Sequence, residues 1–83
     1  MEREVLLALI VEVTCEELCL EPEKVTLEAA FTADLGADSL DIVDLVIALE
    51  HKLGIRIPDE DLRQIYRVRE CLYYVEKHLS LVT

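Results

Sequence analysis

One serine stands out by its surroundings. In Asp34-Leu35-Gly36-Ala37-Asp38-Ser39-Leu40-Asp41, Ser39 lies between two acids and directly before an apolar stretch. A serine hydroxyl is a weak nucleophile without an adjacent base, and no basic residue falls between Lys24 and His51. Chemistry at Ser39 therefore requires catalysis from another protein, with the serine as the group acted upon. At the first turn of a helix, free backbone N–H groups and the positive dipole end favour an attached anion such as a phosphodiester. Asp38 and Asp41 oppose that anion locally but would attract a basic modifying enzyme. On spacing alone, an ordinary helix-start serine with no attachment is the favoured reading, because serine is common near helix starts. A calcium loop on Asp34, Asp38 and Asp41 lacks the required acidic register and closing glutamate. Cys15, Cys19 and Cys71 form no CxxC pair, so no metal site is expected; as an odd set they read as buried or half-buried free thiols.

The elements that must position Ser39 are helical. Residues 2–19 predict a first helix with Leu6, Ile10, Val13 and Leu18 inward, while Leu7, Leu9 and Val11 widen its apolar face. Pro22 ends it, and residues 20–37 form a long connection in which Val25, Leu27, Phe31 and Leu35 are expected to tuck into the core. A second helix starts at Asp38 or Ser39, with Asp38 and Asp41 spaced as a capping box, and ends near Leu53 before Gly54. Leu45, Val46, Leu49 and Leu53 face inward along it, and Asp41, Asp44, Ala48 and His51 outward, flanked by Leu40, Ile47 and Glu50. Ile57 points inward from an extended connector. Asp59 is expected to cap a short helical piece, 59–65, with Leu62 and Ile65 inward. A last helix over about 68–79 buries Val68, Leu72, Val75 and Leu79, with Cys71 and Tyr74 beside them; Arg67 sits at its capping position, where it cannot accept a hydrogen bond. The expectation is an all-α protein, a small four-helix bundle of three longer helices and one short one, with residues 1–83 as a single domain.

Composition narrows the function. The 83 residues are 53% hydrophobic with two glycines and two prolines, which argues for a compact helical core and against a disordered acidic tail. A net charge of −10 disfavours nucleic acid and points to basic protein partners. The charge is uneven: residues 1–50 hold 13 acids against only Arg3 and Lys24, whereas residues 51–83 hold five acids and six bases. There is no apolar stretch suited to a membrane span, and Glu2 and Glu4 are wrong for a secretory signal, so a cytoplasmic protein, plainly a monomer, is expected.

Read together, Phe31, the run Asp34 to Asp41, Val43, Leu45, Ala48-Leu49-Glu50 and Ile57-Pro58-Asp59-Glu60-Asp61 make the chain resemble the acyl carrier proteins. That resemblance implies a four-helix carrier, not an enzyme, whose Ser39, flanked by Asp38 and Leu40, accepts 4'-phosphopantetheine from coenzyme A through a separate phosphopantetheinyl transferase. It implies that acyl intermediates of fatty acid, polyketide or related biosynthesis ride on the arm as thioesters between acyl-transferring and acyl-modifying enzymes. Docking would use Leu40, Asp41, Asp44, Ile47, Glu50 and His51. A groove for the acyl chain would involve Leu45, Val46, Leu49, Ile57, Leu62 and Leu72. The chain departs from the family where Glu50 is followed by His51 and Lys52, with Arg56 beyond, which suggests specialised partners. A D-alanyl or peptidyl carrier, or an unmodified helical scaffold, are the alternatives.

Overall fold

The computed structural model describes residues 2–82, with side chains described as far as Leu79. Three α-helices, α1 (Arg3–Leu18), α2 (Ser39–Leu53) and α3 (Val68–Val82), are joined by segments carrying 3₁₀ helices at Pro22–Lys24 and Asp59–Gln64. The all-α expectation holds, with the short helix 3₁₀ rather than α.

In α1, Leu6, Ile10 and Val13 are buried as the spacing predicts, and so is Thr14, whose hydroxyl donates to the Ile10 carbonyl at 2.7 Å. Leu18 is only half-buried, because it lies on the last turn, where the core tapers. Leu7 and Val11 pack against the core, so most of the surplus apolar face wraps inward. The helix ends at Cys19 in the left-handed region, φ 55°, whose N–H closes on the Cys15 carbonyl. Cys19 is exposed, contrary to the expectation for a free thiol; Cys15 is half-buried and Cys71 buried.

The long connection has no periodicity because its backbone bonds run to a distant segment. Phe31 N donates to the Tyr66 carbonyl at 3.0 Å, Val68 N to the Ala29 carbonyl at 3.1 Å and Arg69 N to the Leu27 carbonyl at 2.9 Å. This pairing satisfies groups that a buried loop would otherwise leave unmet. Val25, Phe31 and Leu35 enter the core, joined by Ala29 and Ala37. Leu27 does not: it is 42% exposed, in a turn whose carbonyl is committed to Arg69, so its side chain faces outward.

One cap differs from expectation, and another is filled from an unexpected side. Pro58, not Asp59, is the N-cap of the second 3₁₀ helix; Asp59 is its first residue and makes no side-chain cap bond. The turn closes through the backbone instead, with Asp61 N donating to the Pro58 carbonyl at 2.9 Å. At the start of α3, Arg67 supplies no acceptor, but its own N–H donates to the Glu70 carboxylate at 2.7 Å, the reciprocal half of a capping box. Val68, Cys71, Leu72, Tyr74 and Val75 are buried, Leu79 is half-buried, and Ile57 and Ile65 join the same core.

Candidate functional site

The loop before α2 is folded by its own backbone. Asp34 N and Leu35 N both donate to the Ala30 carbonyl, at 2.9 and 3.0 Å, and Ala37 N to the Phe31 carbonyl at 2.8 Å. Gly36 takes φ +74°, a conformation that favours glycine. The Asp34 carboxylate accepts from Ala30 N at 2.7 Å, and fully buried Phe31 pins the loop to the core. The chain then leaves in the direction that lets Asp38 cap α2.

The capping box is complete. Asp41 N donates to the Asp38 carboxylate at 2.9 Å and Asp38 N to the Asp41 carboxylate at 3.1 Å. Both acids beside Ser39 thus aim an oxygen at the backbone. Ser39, exposed, is the first residue of α2, and among the described residues the N–H groups of Ser39 and Leu40 have no intrachain acceptor. These free donors and the helix dipole suit an anion on the serine.

Beside Ser39 opens a cleft of about 390 Å³, lined by Phe31, Ile42, Val43, Leu62, Arg63 and Tyr66 among others. Among the described residues no histidine, lysine or carboxylate lines it, and none there offers a base for the hydroxyl. A larger cleft of about 870 Å³ follows the outer edge of α2, with Val46, Ile47, His51, Arg56 and Ile57 in its wall. Val43 and Leu62 line both clefts, so the two form one track running from Ser39. Of the groove residues expected, Val46, Ile57 and Leu62 line this track. Leu45, Leu49 and Leu72 do not: they are 1%, 0% and 3% exposed, packed beneath α2 as core. Ile42, Val43 and Ile47 of α2 line the track as well.

The outward face of α2 carries the docking candidates. Leu40, the most exposed of the large apolar residues among the described ones at 74%, shares this face with Asp44, Ile47 and His51, all exposed. Asp41 and Glu50 are half-buried and each has a structural bond: Asp41 in the capping box, Glu50 accepting from Ile57 N at 2.7 Å. Val43, Arg63 and Tyr66 were missed as site residues. Only Val43 carries a sequence signal, since it lies three positions after Leu40 and four before Ile47, on the same stripe of α2. Arg63 and Tyr66 arrive from a segment remote in sequence.

Comparison with known proteins agrees with this geometry. A family model described as "Phosphopantetheine attachment site" matches residues 8–70. The chain is 52% identical over 64 residues to an acyl carrier protein of Helicobacter acinonychis, covering 77% of this chain and 82% of the relative. It is 45% identical over 78 residues to an acyl carrier protein of Rubrobacter xylanophilus, covering 94% and 96%. It is 44% identical over 69 residues to that of Zymomonas mobilis, covering 83% and 88%.

Proposed function

Because this chain belongs to the acyl carrier protein family, we propose that Ser39 is the residue that bears its 4'-phosphopantetheine, with Asp38 and Leu40 shaping the attachment point. The observation that carries this assignment is an exposed serine at the first turn of α2, with free N–H donors and no base lining its cleft. The residues fit the group: the helix start favours the phosphodiester, and the adjoining track offers apolar walls to the rest of the arm. When attached, the arm supplies a terminal thiol that holds acyl groups as thioesters. The chain's own residues hold the attachment point rigid and present α2 to visitors, and the catalysis belongs to the partners.

The partners are a phosphopantetheinyl transferase and the enzymes that load, modify and unload acyl groups. Leu40, Asp44, Ile47 and His51 give them a mixed apolar and charged face, while Asp41 and Glu50 keep that face in shape. Relatives named acyl carrier proteins favour this reading over a D-alanyl or peptidyl carrier and over an unmodified scaffold. Among the described residues no helix is long and apolar enough to cross a membrane; the proposed setting is the cytoplasm, with residues 1–83 acting as a single monomeric carrier domain.

Intact-mass measurement before and after incubation with coenzyme A and a transferase tests the assignment. One phosphopantetheine addition is expected, lost in Ser39→Ala; an addition that survives the substitution places the arm elsewhere. His51, Lys52 and Arg56 mark the end of α2 as a site for specialised partners. Lys52→Glu is expected to raise turnover by general fatty acid synthesis enzymes, and no gain in any such reaction would remove the case for a specialised clientele.

A further inference from the structure

Arg63 comes from the nearly neutral second half of the chain, yet it lines the cleft beside Ser39 at the end of the acidic first half. Its position follows from the 3₁₀ helix. With three residues per turn, positions three apart eclipse, so Asp61 and Gln64 share one side. That side is fastened: Asp61 accepts from the Tyr74 hydroxyl of α3 and from Gln64 Nε2 at 3.3 Å. Leu62 packs against the core, which leaves Arg63 for the remaining side, facing the cleft. Among the described residues it has no ion pair and no side-chain hydrogen bond, although Glu60 is its eclipsing neighbour. Among the described residues it is also the only basic one in the cleft wall.

The acids nearest Ser39 do not compete strongly for it. Asp34, Asp38 and Asp41 each direct an oxygen at a backbone N–H of the loop or helix start. A phosphodiester joined to Ser39 would therefore bring an uncommitted anion to the cleft that Arg63 lines. The guanidinium fork, with paired N–H donors, matches phosphate oxygens better than an ammonium does.

We propose that Arg63 is a positioning residue for the arm: it binds the Ser39-linked phosphodiester across the cleft and holds the first bonds of the arm toward the track along α2. This rests on the assignment of Ser39. Arg63 touches no reacting atom, and it acts by restricting where the arm begins.

The experiment compares apo and phosphopantetheine-loaded protein, with loading checked first by intact mass, and follows the Arg63 Nε–H signal and the phosphorus resonance by NMR. On loading, the Arg63 signal is expected to shift and sharpen, and Arg63→Gln to move the phosphorus resonance; Arg63→Lys recovers part of that movement. The pair is exposed, so the bound geometry should be favoured by roughly fivefold at most at low salt and fade near 0.5 M salt. An Arg63 signal unchanged on loading, or a phosphorus resonance indifferent to Arg63→Gln, overturns the inference while leaving Ser39 as the attachment point. A chain that accepts no addition, or keeps it in Ser39→Ala, overturns both. Arg63 is exposed and unpaired, so apo Arg63→Gln should melt with the parent, which separates this role from a contribution to folding.

Discussion

Asp38 shows how a residue beside the proposed attachment point can serve it without chemistry. Its carboxylate satisfies Asp41 N and its own N–H is satisfied by Asp41 in return, so Asp38→Ala should lower stability by about 1 kcal/mol. Urea melts of the apo protein would check this, and an unchanged midpoint would mean the box is not formed. Loading of Ser39 should slow in the same variant, since the serine then begins a frayed turn. The thiols separate by environment. Cys71 is fully buried and burial pushes its thiol up to about 12. The folded chain thus keeps this proton where the unfolded chain, with an ordinary thiol near 8.5, has lost it. Its stabilising contribution is complete below about pH 8.5 and declines as pH rises above that value, on a slope of about 1 kcal/mol per pH unit. Denaturant melts between pH 7.5 and 10 should show that slope, reduced in Cys71→Ala. Tyr74, raised chiefly by burial and further by its bond to Asp61, adds a loss of the same sign above about pH 10.

At the level of elements, α2 and the 3₁₀ helix are held from opposite sides of the track that leaves Ser39. Glu50 ties the end of α2 to the Ile57 backbone at 2.7 Å, and Tyr74 ties Asp61 to α3. Glu50→Ala therefore removes more than a docking charge: a loss of about 1–3 kcal/mol is expected, because a part-buried N–H is left unmet. Weaker docking by this variant should be judged only after its fold has been verified. Tyr74→Phe keeps the ring's packing and removes the tether. Hydrogen exchange in residues 59–64 should quicken several-fold while the centres of α1 and α2 stay protected; uniform exchange across the chain would count against a local clamp. His78 stacks on Tyr74, ring centroids 4.3 Å apart, and adds to the same contact.

Across the whole molecule the dominant feature is charge, 18 acids against eight bases. Only two ion pairs are seen among the described residues, Arg3 with Glu76 and Arg69 with Glu28, both solvent-exposed. Most of the acidic charge is thus uncompensated, and self-repulsion should be relieved by screening. Raising sodium chloride from about 0.02 to about 0.5 M should raise the melting temperature by several degrees, a gain of about 1 kcal/mol corresponding to about 4–8 °C in a chain of this size. A flat or falling response would show that the few ion pairs outweigh the repulsion.

The three helices, the cap at Asp38, the stop at Gly54 and a serine at the start of α2 were all legible in the sequence, because each depends on residues within a few positions of one another. Helix periodicity, a side chain reaching a backbone N–H three residues on, and a glycine entering the left-handed region are local physics. The loop was legible only in part: Phe31 and Leu35 announced themselves by size, but Leu27 faces outward because its carbonyl bonds to Arg69, 42 positions away. The same holds for the cleft. Its lining joins α2 to Arg63 and Tyr66, and the sequence alone could not separate groove from core among the inward residues of α2, since which of them meets the remote segment depends on tertiary packing. Sequence determined that Ser39 begins a helix and has no local base; tertiary packing decided that an unpaired arginine stands across a cleft from it, because only folding brings the neutral half of the chain against the acidic one.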